Sequence, residues 1–401
     1  MNSWDCFDTL VARKYFHPQT VFQAVAKKLN DPTFVQRRIQ AEKQSNGTYE
    51  SIYKNLPGHD PELEFQTELE HCFGIVENLQ KVKDGDIIVS DMYLSSEQVA
   101  RILKSCGLDK DVKVYVTPGG KHNGTIWPHL GKIDFHTGDN LRSDVNSPRA
   151  FGINAIHYVE THFTDVERFV LAQNGELACW MRYVRLSCPY SGDLKKLWWD
   201  QSSFNVPALT LTSFLLPNKP ISFVLRDSIH HHKIYEKATG NKAIALMSSR
   251  KCLYNPSKEF AEYTIENTTD RVIVDIQGSA RSLKTFFSSQ NVEMPETVYI
   301  CGPVEAPARG LSSIRSDAIE RFNFSPDGTL VGWNENGPIK AMCEHPKEIV
   351  KLQEEAISIA LESFSKFRIQ PQPNDRELLS NMLAFMDISF TNKSTPLITE
   401  H

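Results

Sequence analysis

The chain has 401 residues, with 44 Lys+Arg against 49 Asp+Glu and a net charge of −5. At roughly 100–200 residues per domain, this length predicts two or three domains. With 40% hydrophobic and 23% charged residues, a mainly disordered or collagen-like chain is excluded, and the charge balance does not describe a dedicated nucleic-acid binder or a polybasic membrane protein.

A very short strand is expected to end at Asp5. From about residue 18 to 82 the pattern turns helical, with apolar residues three and four apart in "TVFQAVAKKL", "TFVQRRIQAEKQ", "YESIYKNL" and "ELEFQTELEHCFGIVENLQKV". "DIIVSD" then reads as a buried strand, and "SSEQVARILKSCG" as a helix with a Ser cap and a Gly stop. "VKVYVT", "KIDFHTGD" and "AIHYV" are three further short strands. Continuous apolar runs alternating with helices predict an α/β fold with a parallel sheet covered on both faces.

Residues 161–200 read as a helical linker, with "FTDVERFVLAQNGELACWMRYVRL" as helix and "SCPYSGDL" as loop. A second α/β series is expected over 201–401. Its strand candidates are "ISFVLRDS", "KAIALMSS", "RVIVDIQGSA" and "TVYICGP", and "KEIVKLQEEAISIALESFSKF" is an amphipathic helix. The tail "NKSTPLITEH" is expected to fray. No repeat of fixed period is evident.

The first residues lack the apolar core of a secretory signal. The most apolar stretch, 206–216, is too short for about 30 Å of hydrocarbon. The eight cysteines form no CxxC pair and read as reduced thiols. A cytoplasmic protein without a membrane partner is expected.

Four points of the first half fall at strand ends, where a parallel sheet opens a crevice. These are Asp5 in "DCFDTL", Ser90 in "IIVSD", Lys121 in "TPGGKHNG", and Asp139 with Asp144 in "TGDNLRSD". Three carboxylates, a hydroxyl and a lysine suit a hard cation beside a phosphate. Each residue also has a plain structural role open to it. Asp5 and Asp144 suit strand-end or helix caps, Ser90 competes with Asp91 and Ser95 as a cap, and Lys121 suits a solvated turn.

The order and spacing of these residues resemble the haloacid dehalogenase (HAD) superfamily, over about residues 1–160. More narrowly, "DCFDTLVAR", "VSDMYLSSEQVARILKSCG" and "KHNGTIWPHL" are similar to predicted HAD hydrolases of polysaccharide-biosynthesis contexts, which also carry a second α/β region. The resemblance implies a HAD-type Rossmann-like core with a helical cap inserted at about 12–83. It also implies an aspartyl-phosphate at Asp5, and Mg²⁺ held by Asp5, the Phe7 carbonyl, Asp139 and Asp144. Ser90 and Lys121 would face the phosphoryl oxygens, and Thr9 would orient the loop. The implied activity is a Mg²⁺-dependent phosphohydrolase or phosphotransferase on a small phosphorylated metabolite, a sugar phosphate or a nucleotide. The family's phosphatases carry an acid two residues after the nucleophile, where this chain has Phe7. Either the leaving group needs little help, or Asp8 or another residue stands in, or the module binds without turnover. The family's dehalogenase branch also lacks that acid, but it works without metal.

In the second half, Arg226, Asp227, Asp275, Gly278, Ser279 and Arg281 follow apolar strands and are candidates for a second crevice. The strand–Asp–Gly/Ser–helix order suits an anion at a helix N-terminus and is analogous to a phosphoribosyltransferase loop, without its acidic doublet. A bifunctional chain handling a nucleotide or phosphoribosyl substrate there is the alternative. His230-His231-His232 is a weak metal candidate, and Trp198-Trp199 suits an interdomain packing patch.

Overall fold

A computed structural model describes residues 1–302, 308–312, 314, 316 and 318–392. The chain divides into two compact units. One comprises 1–164 with 186–189, and the other 165–185 with the chain from 190 on.

The first unit is α/β. Strands β1 (Ser3–Trp4) and β2 (Val11–Arg13) are followed by helices α1 (Gln19–Leu29), α2 (Phe34–Lys43), α3 (Tyr49–Lys54) and α4 (Pro61–His71). Then come β3 (Cys72–Gly74), α5 (Val76–Leu79), β4 (Ile87–Ser90), α6 (Ser96–Ser105), β5 (Lys113–Val116), β6 (Phe135–Gly138), α7 (Ser147–Ala150) and β7 (Asn154–His157). The sheet order is β5-β4-β1-β6-β7, and every pair is parallel. All four residues of β4 are buried, as its unbroken apolar run requires when helices cover both faces. The expected Ser cap of α6 is Ser95, and it is half of a capping box: the Ser95 hydroxyl accepts from the Gln98 N–H, and the Gln98 side chain returns to the Ser95 N–H.

The long helix expected to run through "ELEFQTELEHCFGIVENLQKV" is instead broken. After α4, residues 72–74 pair antiparallel with β2 as β3. A Cβ at Gly74 would lie 2.2 Å from the Cys106 carbonyl oxygen, so only glycine lets the backbone approach there. Helices α1–α4 are thus inserted between the two strands of a small hairpin-like sheet. Their own core contains Val21, Phe22, Phe34 and Ile52.

The second unit begins earlier than expected. Residues 161–200, read as a linker, contain α8 (Asp165–Leu171), α9 (Gly175–Leu186) and α10 (Gly192–Asp200). Residues 165–185 and 190–200 belong to the body of this unit because their polar groups are satisfied there. Buried Arg185 pairs with buried Glu167 at 2.6 Å, and Trp180 Nε1 donates to Ser363 Oγ at 2.9 Å. Trp198 is likewise buried and donates to the Val184 carbonyl at 2.8 Å. It packs inside this unit, where an interdomain patch was expected.

The apolar run at 206–216 forms α11 (Val206–Leu215), buried on every side over its first eight residues. The series continues with β8 (Ile221–Leu225), α12 (Ile229–Thr239), β9 (Ile244–Met247), α13 (Arg250–Tyr254), α14 (Lys258–Glu266), β10 (Val272–Gln277), α15 (Arg281–Ser289) and β11 (Thr297–Cys301). It ends with β12 (Ala308–Ser312), α16 (Ala318–Arg321), the hairpin β13 (Leu330–Asn334) and β14 (Gly337–Lys340), α17 (Lys347–Phe364) and α18 (Asp375–Asn392). A second all-parallel sheet has the order β12-β11-β10-β8-β9. The expected frayed tail falls, beyond its first residue, outside the described residues. No helix among the described residues is long and apolar enough to cross a membrane. All eight cysteines are free thiols.

Candidate active site

The carboxyl ends of β1, β4 and β6 converge on one cavity of about 810 Å³ in the first unit. Asp5 continues β1: its N–H donates to the Thr137 carbonyl at 2.8 Å, and its side chain is only 9% exposed. Ser90 ends β4, and Asp139 follows β6. The cavity is lined by all five residues picked out at strand ends, Asp5, Ser90, Lys121, Asp139 and Asp144, and also by Phe7 and Asp8. Thr9 is not among its lining residues. It is fully buried, and Asn78 holds its carbonyl at 2.8 Å, so any role in shaping the loop is exerted from beneath.

Lys121 is the hub. Its buried ammonium donates to Asp5 and to Asp144, the latter at 2.5 Å. Burial alone would lower this ammonium's pKa, but Asp5 and Asp144 push it the other way. Lys121 therefore stays charged. Burial drives the Asp5 carboxyl well upward, against the pull of Lys121. Asp144 behaves oppositely: although burial opposes it, the hydrogen bond to His136 and the charge of Lys121 hold its carboxyl down at about 2.

The support behind Lys121 was not evident from sequence. Asp91, the residue after β4, accepts the N–H groups of Lys121 at 2.8 Å and His122 at 2.7 Å. Ser147 Oγ donates to the Lys121 carbonyl at 2.6 Å, and Trp127 Nε1 donates to Ser147 at 2.9 Å. The loop carrying the lysine is therefore held at both its N–H and its C=O.

Asp144 is equally fixed. Its Oδ1 accepts from His136 Nε2 at 3.1 Å, and its Oδ2 accepts from the Asn140 N–H at 2.9 Å. With Nε2 facing a carboxylate, His136 carries its proton there, which leaves Nδ1 to accept from Ser3 Oγ at 2.8 Å. Gly138 makes this fold-back feasible. A Cβ there would lie 2.3 Å from Asp144 Cγ. Residues 141–146 form a wide π turn, which places Asp144 beneath the loop that carries Asp139.

Asp139 is half-buried. Burial first, then the neighbouring carboxylates of Asp8 and Asp144, push its carboxyl up to about 7. Asp8 holds a left-handed backbone, φ 57°, uncommon for a residue with a Cβ. Its carbonyl accepts from Thr161 Oγ1 at 2.9 Å. Phe7 is packed under the Arg13 guanidinium, 4.2 Å from the ring centroid, and Arg13 is tied to Glu68 at 2.6 Å.

Ligand atoms of Asp5, Asp139 and Asp144 lie within 4.8 Å of one another. These are hard oxygen donors around concentrated negative charge, the set that suits a divalent cation such as Mg²⁺. The oxygens of Asp144 already accept from Lys121, His136 and Asn140, so Asp5 and Asp139 are the carboxylates better placed to hold a cation directly.

No family model matches the chain, and no curated protein matches it significantly.

In the second unit, Arg226, Asp227, Asp275, Gly278, Ser279 and Arg281 line a single crevice at the carboxyl ends of β8, β9 and β10. The histidine tract does not form a metal centre there. His230 and His231 are buried, and the metal-capable cluster found among the described residues is the one at Asp5.

Proposed function

We propose that the chain is a Mg²⁺-dependent phosphohydrolase or phosphotransferase of the haloacid dehalogenase type, acting on a small phosphorylated metabolite such as a sugar phosphate or nucleotide. The observation that carries this reading is the meeting of Asp5, Lys121, Asp139 and Asp144 in one cavity, drawn from residues up to 139 positions apart. In this reading residues 1–160 are the catalytic core, and the helices at about 12–83 act as its cap. His17, Phe22, Ile39 and Lys43 from that insertion line the same cavity, which gives it a means of selecting the group that carries the phosphate.

Asp5 is the nucleophile. One of its carboxylate oxygens bonds to phosphorus as the P–O bond to the leaving group breaks, giving an aspartyl-phosphate. Lys121 neutralises the phosphoryl oxygens, and Ser90 donates a hydrogen bond to them. Water, or an acceptor hydroxyl, then attacks phosphorus and releases Asp5. Mg²⁺, held by Asp5 and Asp139 with the Phe7 carbonyl and Asp144 completing or supporting the set, would offset repulsion between carboxylate and phosphate. Asp8 protonates the leaving alkoxide and takes the proton from the incoming water. This assignment is supported by its place in the cavity and its unusual backbone conformation.

A second reading is a module that binds a phosphorylated ligand without turnover. It is favoured by Phe7, which the Arg13–Glu68 pair holds at the usual position of the acid. The two readings part in an Asp5→Asn variant assayed with Mg²⁺ on a panel of sugar phosphates and nucleotides. Turnover at Asp5 predicts phosphate release by the native chain and its loss in the variant. A binding module predicts no release by either protein and retained ligand binding. Release undiminished by Asp5→Asn would refute the assignment of Asp5.

A further inference from the structure

The second sheet has a topological switch point. In chain order its strands lie 2-1-3-4-5: the chain moves from β8 outward to β9, then returns to the other side of β8 to lay down β10. The loops after β8 and β10 therefore leave in opposite senses and part between these two strands. In open parallel sheets this is where a crevice opens. Here the crevice measures about 890 Å³, a size that accommodates a small organic ligand.

Its chemistry is specific. Arg250, Lys251 and Arg281 lie on its wall and have no ion-pair partner among the described residues. The fourth cation, Arg226, is held by Asp227 at 2.8 Å. Burial, and then Asp227, push the Asp275 carboxyl up to about 8, so it adds little negative charge at neutral pH. Glu320 also lines the crevice, and the four cations outnumber it and Asp227 by two to one. Helix α15 points its first turn into this space with no side-chain cap. The N–H groups of Arg281 and Ser282 are thus available donors.

The loop feeding that helix is built for close approach. A Cβ at Gly278 would meet the Tyr299 ring at 2.7 Å. Ala280 is left-handed, φ 55°, and the Tyr299 hydroxyl accepts its N–H at 2.9 Å. Backbone strain of this kind collects at ligand clamps. A separate observation points to a missing partner. Ser248, at the end of β9, is 8% exposed, its Oγ has no hydrogen-bond partner among the described residues, and it lines the same crevice. A buried hydroxyl left without a partner is destabilising, and a ligand hydroxyl would satisfy it.

We propose that this crevice is a second binding site, made wholly of residues of the second unit, for a phosphate monoester on a hydroxyl-rich body such as a sugar or nucleoside. The phosphate sits at the start of α15 against Arg281, with Arg250 and Lys251 beside it. The hydroxyl groups face Ser248, Asp227 and Asp275.

Hydrogen exchange on the full chain tests this, with ribose 5-phosphate and AMP as probes and ribose and adenosine as controls. At a probe concentration about ten times its Kd, exchange limited by local opening is expected to slow about tenfold over residues 248–254 and 278–284. The controls leave those segments unchanged. The protection persists in Asp5→Asn, where the first cavity is altered, and disappears in Arg281→Glu. Because Arg281 is exposed, that variant keeps its fold, checked by unchanged exchange over β10 and β11. The proposal is overturned if neither phosphate ester protects these segments, if ribose or adenosine protects them equally, or if the protection survives Arg281→Glu.

Discussion

The ammonium of Lys121 lies 2.5 Å from Asp144 Oδ1, the same oxygen that accepts from His136 Nε2 at 3.1 Å. Asp144 therefore acts chiefly by holding Lys121 against Asp5. Removing its charge leaves a buried cation compensated only by Asp5. Asp144→Asn is expected to lower kcat for phosphate release by roughly 10²–10³, with a smaller change in KM. It should also cost about 3 kcal/mol in a urea titration. Normal turnover and an unshifted midpoint would contradict this role.

Asp8 and Phe7 predict a dependence on leaving group. General acid help is worth roughly 10²–10⁴ where the leaving alkoxide is basic. Asp8→Asn should therefore depress turnover of alkyl phosphates strongly and that of p-nitrophenyl phosphate much less. Phe7→Asp should restore an acid beside the nucleophile and raise the rate on alkyl phosphates in the Asp8→Asn background. Equal losses on both substrate types would remove Asp8 from proton transfer.

Within the helical insertion, a buried ion pair ties α2 to α4. Arg38, with a fully buried side chain, meets Glu64 through Nε at 2.7 Å and a second guanidinium nitrogen at 2.8 Å. Its guanidinium also lies 4.5 Å from the Phe22 ring centroid and 4.8 Å from that of Tyr93. Glu42, partly exposed, also meets the guanidinium at 2.8 Å, so Glu64→Gln leaves the buried cation with that outer partner alone and should destabilise by about 3 kcal/mol. Replacing both partners at once, Arg38→Met with Glu64→Leu, should recover most of that loss. Additive losses in the double variant would contradict the pairing as the cause.

Acid sensitivity should come in part from the second unit. Burial holds the pKa values of His230 and His231 down at about 3, against 6.5 in the unfolded chain. Above 6.5 both histidines are neutral in both states, and their contribution to stability is intact. As pH falls from 6.5 toward 3, the unfolded chain takes up protons that the folded chain refuses. Each histidine then removes up to about 1.4 kcal/mol per pH unit. Urea titrations between about pH 7.5 and pH 5.5 should show this slope, and it should be shallower in His231→Leu. An identical slope in the variant would place the acid sensitivity elsewhere.

Much of the first cavity was legible, though by different signs. Ser90 ends the apolar run "IIV", Gly138 marks the turn before Asp139, and Asp5 in "DCFDTL" was legible through the family pattern it resembles. What could not be read depends on partners distant in the chain. Asp91 looks like an ordinary helix cap until it is seen to hold the backbone of Lys121, 30 residues away. His136 sits inside a strand, and only the fold places it beneath Asp144. The break before β3 was hidden because "ELEFQTELEHCFGIVENLQKV" keeps helical spacing through it, and the reason for the break, the Cys106 carbonyl against Gly74, lies outside the segment. Strands β12 and β14 were missed because "ARGLS" and "GPIK" lack an apolar run, and β13 because Gly332 interrupts the apolar residues of "LVGWN".

The proposed function turns on the Asp5 carboxylate receiving phosphorus beside a cation shared with Asp139. A crystal structure of the full chain grown with Mg²⁺ and beryllium fluoride, a mimic of a carboxylate-bound phosphoryl group, would show whether it does. The expected density joins beryllium to a carboxylate oxygen of Asp5, with Mg²⁺ bound by Asp5 and Asp139 and the fluorides facing Lys121 and Ser90. Beryllium fluoride bound elsewhere, or Asp5 still closed onto Lys121 with no cation between Asp5 and Asp139, would contradict it.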